Sequence, residues 1–166
     1  MTMTDLLSKE EWLELEKAIY ARSGMNAHVY DADGLTFTGY NEWANELCPA
    51  VKANPQSLQA VCAIANQNIA AQAREERQTV ISECDLALAK ICVPVFAGGE
   101  YLGSVGACGH LGPDEEVETF LASKVMGMDE EQLEKLTRTV DHISDDAIRE
   151  LAAFMEERVA GITAGK

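Results

Sequence analysis

Two strand-like segments separated by a pair of glycines constrain the fold of this chain more than any other feature of its sequence. Residues 91–96 and 101–108 are rich in β-forming side chains, and the first of them alternates in the manner of a half-buried strand. Gly98 and Gly99 between them suit a tight turn, so the two segments should form an antiparallel hairpin. Residues 79–84 are a third strand-like segment, which would extend the same sheet.

A further hairpin is predicted earlier in the chain. Residues 27–30 and 35–38 alternate like half-buried strands on either side of residues 31–34, which contain a turn-forming Asp-Gly pair.

Pro94 restricts the position of the strand over residues 91–96, because proline has no amide hydrogen to donate to a neighbouring strand. Its strand should therefore lie at a sheet edge or leave the proline on an unpaired side.

Helical patterns precede and follow these strands. Ser8 and Glu11 form a capping box, which predicts a helix that runs as far as Gly24. Asn54 and Pro55 favour the start of another helix, as its cap and its first residue. The sequence therefore places a helix before the first predicted strand and another between the two hairpins.

From residue 113 onward the pattern is helical. Ser144 is predicted to cap a last helix, whose single apolar face would cover either the domain's own sheet or a partner's helix. At 166 residues the chain fits one domain, with a core at about residues 8–112 and C-terminal helices over residues 113–161. The predicted fold class is α+β, a central antiparallel sheet flanked by helices, with helical N- and C-terminal segments.

The charge balance excludes some classes of partner. Thirteen Lys and Arg residues against 28 Asp and Glu residues give a net charge of −15, which repels phosphate backbones and anionic membrane surfaces. We therefore expect neither nucleic acid nor a membrane among the partners. The N-terminus lacks the pattern of a signal peptide, and no apolar run approaches the roughly 20 residues of a membrane span. These features predict a cytoplasmic protein.

The five cysteines are the main candidates for chemistry. In a cytoplasmic chain, an odd number of cysteines indicates reduced thiols, metal ligands or redox centres before structural disulfides. No two form a Cys-x-x-Cys pair, but four lie near the ends or inner faces of predicted elements and could meet in a buried site: Cys48, Cys62, Cys84 and Cys108. Thiolates bind soft metals and iron–sulfur clusters, whereas a thiol can also be a small buried hydrophobe. Cys92, inside an alternating strand, is expected to be plain packing.

Two further residues are candidates for a binding site. His110 ends a glycine-containing strand segment, and it could be a ligand, a proton donor or a hydrogen-bonded structural group. Trp43, with Tyr40 nearby, could line an apolar pocket or belong to the core. The chain has neither the Lys-Ser or Lys-Thr pair of a phosphate loop nor a serine-nucleophile elbow.

Short segments that span nearly the whole chain carry a family resemblance: residues 29–34, 46–48, 60–62, 83–87, 92–95, 102–103, 106–109 and 116–120. In order and spacing these segments resemble the PocR ligand-sensing family. The resemblance implies a PAS-like variant fold and a bacterial or archaeal sensory domain for simple hydrocarbon derivatives. Such domains are usually joined to kinase, chemoreceptor or transcription-factor modules. The family's recurring cysteines correspond to Cys48, Cys62 and Cys84.

The chain departs from the family in two ways. The common Cys-His-x-Gly-Leu segment is replaced by residues 84–88, in which Asp85 and Ala87 stand in place of the histidine and the glycine. This difference leaves the identity of the ligand open. No output module follows, so we expect the domain to act alone, to dock onto a signalling partner or to serve as a binding protein. The resemblance also implies a homodimer formed through terminal helices.

The leading hypothesis is a stand-alone sensor that encloses a small organic molecule and shifts its terminal helices on binding. The predicted ligand-binding residues are Trp43, Cys48, Cys62, Cys84, Cys108 and His110. The alternative is a metal, iron–sulfur or haem redox sensor, in which the four grouped cysteines supply the ligands.

A thiol-dependent enzyme is the third hypothesis, with Cys84 or Cys108 as nucleophile. Acidic neighbours flank Cys84, and only Lys90 or His110 could supply the positive charge that lowers a thiol pKa. We therefore expect that the chain is not an enzyme.

Overall fold

The computed structural model describes all 166 residues of the chain. The helices are α1 (Met3–Leu6), α2 (Lys9–Ser23), α3 (Leu47–Ala53), α4 (Pro55–Ser57), a π-helical segment (Leu58–Ala63), α5 (Ile64–Glu76), α6 (Thr119–Met126), α7 (Glu130–Thr137) and α8 (Asp145–Thr163). The strands are β1 (Asn26–Asp31), β2 (Val80–Glu83), β3 (Leu88–Ala97) and β4 (Glu100–Leu111). α4, the π-helical segment and α5 follow one another without a break, as one long helix over residues 55–76.

The four strands form one antiparallel sheet in the order β1-β4-β3-β2. The predicted α+β fold with a central antiparallel sheet is confirmed, and it is consistent with a PAS-like architecture. The β3–β4 hairpin closes at Ala97 and Glu100. Gly98 and Gly99 both have positive φ angles in its turn, which is the conformation that a tight hairpin turn requires.

The predicted strand over residues 35–38 is wrong. This segment makes only an isolated bridge between Thr36 and Tyr30. At the outer edge of β1, the Val29 amide donates to the Glu16 carboxylate at 2.7 Å instead of to another strand. The Thr38 hydroxyl donates to the same carboxylate at 2.6 Å. Because Glu16 occupies this edge, the segment is held by a side chain and not by a strand ladder.

Pro94 lies in β3, an inner strand of the sheet. Its register partner in β4 is Ser104. On the other side, β2 pairs only with the stretch from Ala89 to Cys92, so it ends before it reaches the proline. β3 therefore has no partner strand on its β2 side at Pro94, so a missing amide hydrogen on that side would cost no hydrogen bond of the sheet.

One side of the sheet is sealed by α2 and α8. Their apolar faces pack on β1 and β3, over a core that includes Trp12, Leu15, Val29, Val93 and Met155. The helix signals in the sequence are confirmed: the Ser8 capping box begins α2, Gly24 ends it in the left-handed conformation, and Ser144 caps α8. The apolar face of α8 therefore covers the domain's own sheet.

The other side of the sheet is covered by the long helix over residues 55–76, which packs against β2 and β3. A second core joins α3, α6 and α7 to the β2–β3 turn through side chains such as Leu47, Leu86, Ala122 and Leu133. Asn54 caps this helix and Pro55 begins it, as the sequence predicts. The space between this helix and the sheet holds the candidate site.

Candidate functional site

The cavity between the sheet and the covering helices has a volume of about 30 Å³ and mostly apolar walls. By the usual measure, a cavity of this size has room for one or two water molecules or a small polar group. Asn26, Tyr30, Lys90 and Cys108 line it from the sheet. Lys52 and Cys48 line it from α3, Cys62 and Asn66 from the long helix, and Cys84 from the β2–β3 turn.

The strand register explains how the sheet residues of the cavity come together. Cys108 of β4 lies opposite Asn26 of β1 on one side and Lys90 of β3 on the other. In the next row of the same face, Gly106 lies between His28 and Cys92. Cross-strand neighbours on one face have Cβ atoms about 5 Å apart. The three strands therefore present a continuous row of polar side chains to the cavity.

Helix and turn residues complete the thiol-lined wall. The four cysteines that are predicted to meet in a buried site all line this cavity. Cys92 does not line it, but packs with Ile69, Ala73 and Val80 in a small core and borders the open space between the long helix and the sheet. Cys62 lies in the π-helical segment. Such segments are frequent at functional sites because they interrupt the regular α-helical hydrogen-bond ladder.

Two buried asparagines orient the thiols. Asn26 Nδ2 donates to Cys108 Sγ at 3.7 Å, and its Oδ1 accepts from the Ala44 amide at 2.7 Å. Asn45 Nδ2 donates to Cys48 Sγ at 3.5 Å and to the Gly109 carbonyl at 2.8 Å. Each asparagine therefore links a thiol to the backbone around it.

Gly109 is required by the geometry of this wall. It has a φ of +107°, and a Cβ atom there would lie 2.6 Å from Asn26 Nδ2. The pairing between β3 and β4 shifts at this point, since Cys108 pairs with Lys90 while His110 pairs with Ala89. The extra residue reverses the alternation of side chains along β4. Cys108 therefore faces the cavity, and His110 faces the other way.

His110 lies apart from the four cysteines. Its Nε2 atom is 2.8 Å from the Ser23 carbonyl at the end of α2, which it can reach with an N–H donor. Trp43 is half-buried and does not line the cavity directly. Its ring lies 5.9 Å from that of His28, and the Lys52 ammonium is 5.7 Å from its centroid.

Lys90 is the most unusual residue of the cavity. Its side chain is only 7 % exposed, yet the three ion pairs of the structure all join exposed side chains elsewhere. No Asp or Glu is among the residues that line the cavity, although the chain has 28 of them. Charged groups are seldom buried without a partner, because desolvation costs several kcal/mol.

Burial affects the pKa of the thiols and the pKa of Lys90 in this cavity. It is the main cause that raises the pKa of Cys48 to about 12, and it raises the pKa of Cys62 and Cys84. These three thiols are therefore protonated at neutral pH. For Lys90, burial alone lowers the pKa, and the surrounding sulfurs, Cys108 first, outweigh it and raise the pKa. A sulfur exerts that effect only when it is ionised, so at neutral pH the protonated thiols of Cys48, Cys62 and Cys84 do not offset the desolvation of the Lys90 ammonium.

His28 is a second polar side chain without an internal partner. It is 6 % exposed, and its Nε2 atom has no hydrogen-bond partner. Burial, followed by the charges of Lys52 and Lys90, lowers its pKa to about 4. The imidazole is therefore neutral at physiological pH and can donate or accept one hydrogen bond at the unpaired nitrogen.

A groove of about 610 Å³ adjoins the cavity, between the long helix and the sheet. Tyr30, Asn66, Lys90 and Cys108 line both spaces. The groove is also lined by His28, Gly106, Leu35, Leu58, Ile69 and Ala70. Leu35 and Leu58 are exposed there, at 64 % and 37 %. The long helix therefore lines an open groove with Leu58 and Ala70, while its Val61 and Ile69 side chains are buried in core clusters.

The metal-binding alternative needs at least three donor side chains around one point. No group of three Cys, His, Asp or Glu side chains lies close enough to hold a metal ion. The Lys90 ammonium would also repel a bare cation in the same cavity. In this arrangement the predicted ligands Cys48, Cys62, Cys84 and Cys108 do not fit a single metal ion.

Six polar residues that surround the cavity and groove were not predicted from the sequence as ligand-binding residues: Asn26, His28, Tyr30, Lys52, Asn66 and Lys90. A signal for some of them is present in the sequence. Polar side chains at every second position of β1 indicate one polar face on a strand whose other face is apolar. A lysine inside the otherwise apolar run of β3 is a similar signal.

Comparison with protein families gives one match over almost the entire chain. A family model described as the sensory domain found in PocR matches residues 5–164. The chain therefore belongs to the PocR sensory domain family, and it is a sensory domain of signal transduction. Searches of curated proteins and of solved structures gave no match. No helix of the chain is both long and apolar enough to cross a membrane.

Proposed function

We propose that this sensory domain binds a small organic molecule in the thiol-lined cavity and the adjoining groove. The observation that supports this proposal best is the row of polar side chains on a covered face of the sheet, beside a groove of about 610 Å³. Ligand sites are typically concave and mostly apolar, with a few polar groups that orient the ligand. The cavity and groove together have this character.

The route of the signal follows from the packing. Lys90 lies in β3, and α8 packs on the opposite side of that strand. A ligand that changes the position of β3 would therefore act on α8 through the core that the two elements share, to which β3 contributes Val93 and α8 contributes Met155. The ligand must bind the two arrangements with different affinity. We propose that the domain passes this change to a signalling partner in the cytoplasm, alone or as a homodimer.

The test is a thermal-shift screen of alcohols, diols and short acids. A true ligand should raise Tm by about 5 °C or more at concentrations about a hundredfold above its Kd. Gly106→Val would place a side chain in the groove, where its Cβ atom alone would lie 3.4 Å from the Tyr30 ring. This variant should lose the shift. Gly161→Val is the matched control, because a Cβ atom there meets nothing.

A screen without any hit would count against the proposal. An equal shift in the Gly106→Val and Gly161→Val variants would place the ligand elsewhere. The iron–sulfur or haem alternative is decided by the ultraviolet–visible spectrum and metal content of protein isolated anaerobically. Stoichiometric iron and sulfide, or a haem spectrum, would replace the organic ligand in this proposal.

We also propose that Cys84 is not the nucleophile of a thiol-dependent enzyme. A nucleophilic cysteine must be ionised near neutral pH. Burial, as the main cause, raises the pKa of Cys84 instead, and it does the same for Cys62. The protonated thiols are better suited to contact an apolar ligand than to attack one.

A further inference from the structure

Lys90 identifies the chemical class of the ligand. The side chain is buried beside the cavity, it takes part in no ion pair, and no carboxylate lines the cavity to neutralise it. A cation in such a position costs free energy in the empty protein. An anion supplied from outside would recover that free energy on binding.

The other polar groups around the cavity also favour an anionic ligand. Lys52 lines the cavity as a second cation. Asn66 Nδ2 donates to Tyr30 Oη at 3.2 Å, and both side chains face the space that cavity and groove share. The buried Nε2 atom of His28, which lines the groove, has no partner. In a chain of net charge −15, the cavity therefore has two cations and no carboxylate, and the adjoining groove adds Arg74 and one carboxylate, Asp33.

The cavity and the groove differ in size, so they suit different parts of a ligand. The cavity of about 30 Å³ suits a small planar group better than a phosphate, and the groove of about 610 Å³ can hold a hydrocarbon body. We propose that the ligand is an organic carboxylate, whose carboxylate group pairs with the Lys90 ammonium in the cavity while its apolar body lies in the groove. This inference rests on the proposed function, because it names the class of molecule that the same site binds.

The first experiment uses the wild-type protein and three six-carbon probes: hexanoate, hexanamide and hexan-1-ol. Isothermal titration calorimetry should give hexanoate an affinity about 30-fold higher than that of hexanamide, which has the same shape without the charge. Equal affinities for hexanoate and hexanamide would overturn the carboxylate assignment. Binding of hexan-1-ol without binding of hexanoate would also overturn it, although the proposed small-molecule function would survive. If none of the probes binds and the wider screen also gives no hit, both proposals fail.

The second experiment assigns the ion pair to Lys90. Lys90→Met keeps a long apolar side chain in β3 and removes the charge, so hexanoate affinity should fall about 30-fold while hexan-1-ol affinity is maintained. Lys124→Met, at an exposed position on α6, is the matched control and should bind hexanoate like the wild type. Unchanged hexanoate affinity in Lys90→Met would reject Lys90 as the partner. Should that variant not fold, the comparison of hexanoate with hexanamide in the wild type still decides the class of ligand.

Discussion

Each side of the sheet buries one charged residue, but only one of the two residues has hydrogen-bond partners within the protein. On the side sealed by α2 and α8, Glu16 is completely buried and accepts hydrogen bonds from the Val29 amide and the Thr38 hydroxyl. On the cavity side, Lys90 is nearly as buried but has no ion pair. A buried charge with internal hydrogen-bond partners holds the fold together. A buried charge without them is available to a ligand.

The difference extends to the packing around the two residues. Alternate side chains of the same strands face the two sides, so Val29 enters the sealed core while His28 and Tyr30 face the groove. The sealed side gains stability from dense apolar contacts. The cavity side gains less stability from packing, because its thiols, asparagines and lysines surround open space. Three predictions test this comparison.

The largest expected effect is at Glu16. Glu16→Ala leaves the Val29 amide and the Thr38 hydroxyl without their acceptor, so we expect the free energy of unfolding to fall by about 3 kcal/mol. Glu16→Gln retains an acceptor oxygen and should stay within about 1 kcal/mol of the wild type. Chemical denaturation measures both. If the two variants lose the same amount, the hydrogen bonds are not what the carboxylate contributes.

The second prediction concerns the dependence of stability on pH. The pKa of His28 is about 4 in the folded protein, below its ordinary value of 6.5, because of burial and then of Lys52 and Lys90. The unfolded chain therefore takes up the proton more readily, and the contribution of His28 is complete above pH 6.5 and lost as the pH falls. Burial is the main cause that raises the pKa of Glu16 from 4.5 to about 6. Its contribution is therefore present below pH 4.5 and lost as the pH rises through 6.

These two opposing effects separate in variants. In Glu16→Gln, where only the histidine effect remains, stability should fall by about 2 kcal/mol between pH 6.5 and pH 5. The double variant Glu16→Gln/His28→Gln should show little change over that range. Urea denaturation at the two pH values measures the difference. A steep fall in the double variant would assign the pH dependence to other groups.

The smallest effect is expected at Lys90, and it has the opposite sign to that at Glu16. Lys90→Met removes an unpaired buried charge from the empty cavity, so the free energy of unfolding should rise by about 1 kcal/mol. Denaturation without ligand, with Lys124→Met as control, measures it. A loss of stability comparable to that of Glu16→Ala would mean that Lys90 has an internal partner, and the contrast between the two sides would not hold.

Local signals predicted the elements of this fold well. The capping box at Ser8, the cap at Ser144 and the paired glycines at 98 and 99 act within a few residues of chain, so they are visible in the sequence. The strand predicted over residues 35–38 failed for a non-local reason. Its place at the edge of β1 is taken by Glu16, which is distant in the sequence.

The β2–β3 turn contains the segment in which this chain departs from the sequence that is common in the family. The family segment has a glycine where this chain has Ala87, and Ala87 adopts a φ of +73°. Ala87 therefore has the left-handed conformation, which glycine adopts more easily than alanine. The same turn carries Cys84 into the wall of the cavity.

The sequence by itself determined most of the helices and strands, that the sheet is antiparallel, and that four of the five cysteines are candidates for one site. It did not indicate α1 or α3, and it predicted a strand over residues 35–38 that does not form. The tertiary structure alone decided that Lys90 lies among those cysteines, that His28 lines the adjoining groove and that His110 faces the other side of the sheet. The reason is physical. A single extra residue at Gly109 reverses which side of the sheet His110 faces, and only the register of three strands brings Lys90, Cys108 and Asn26 into one row.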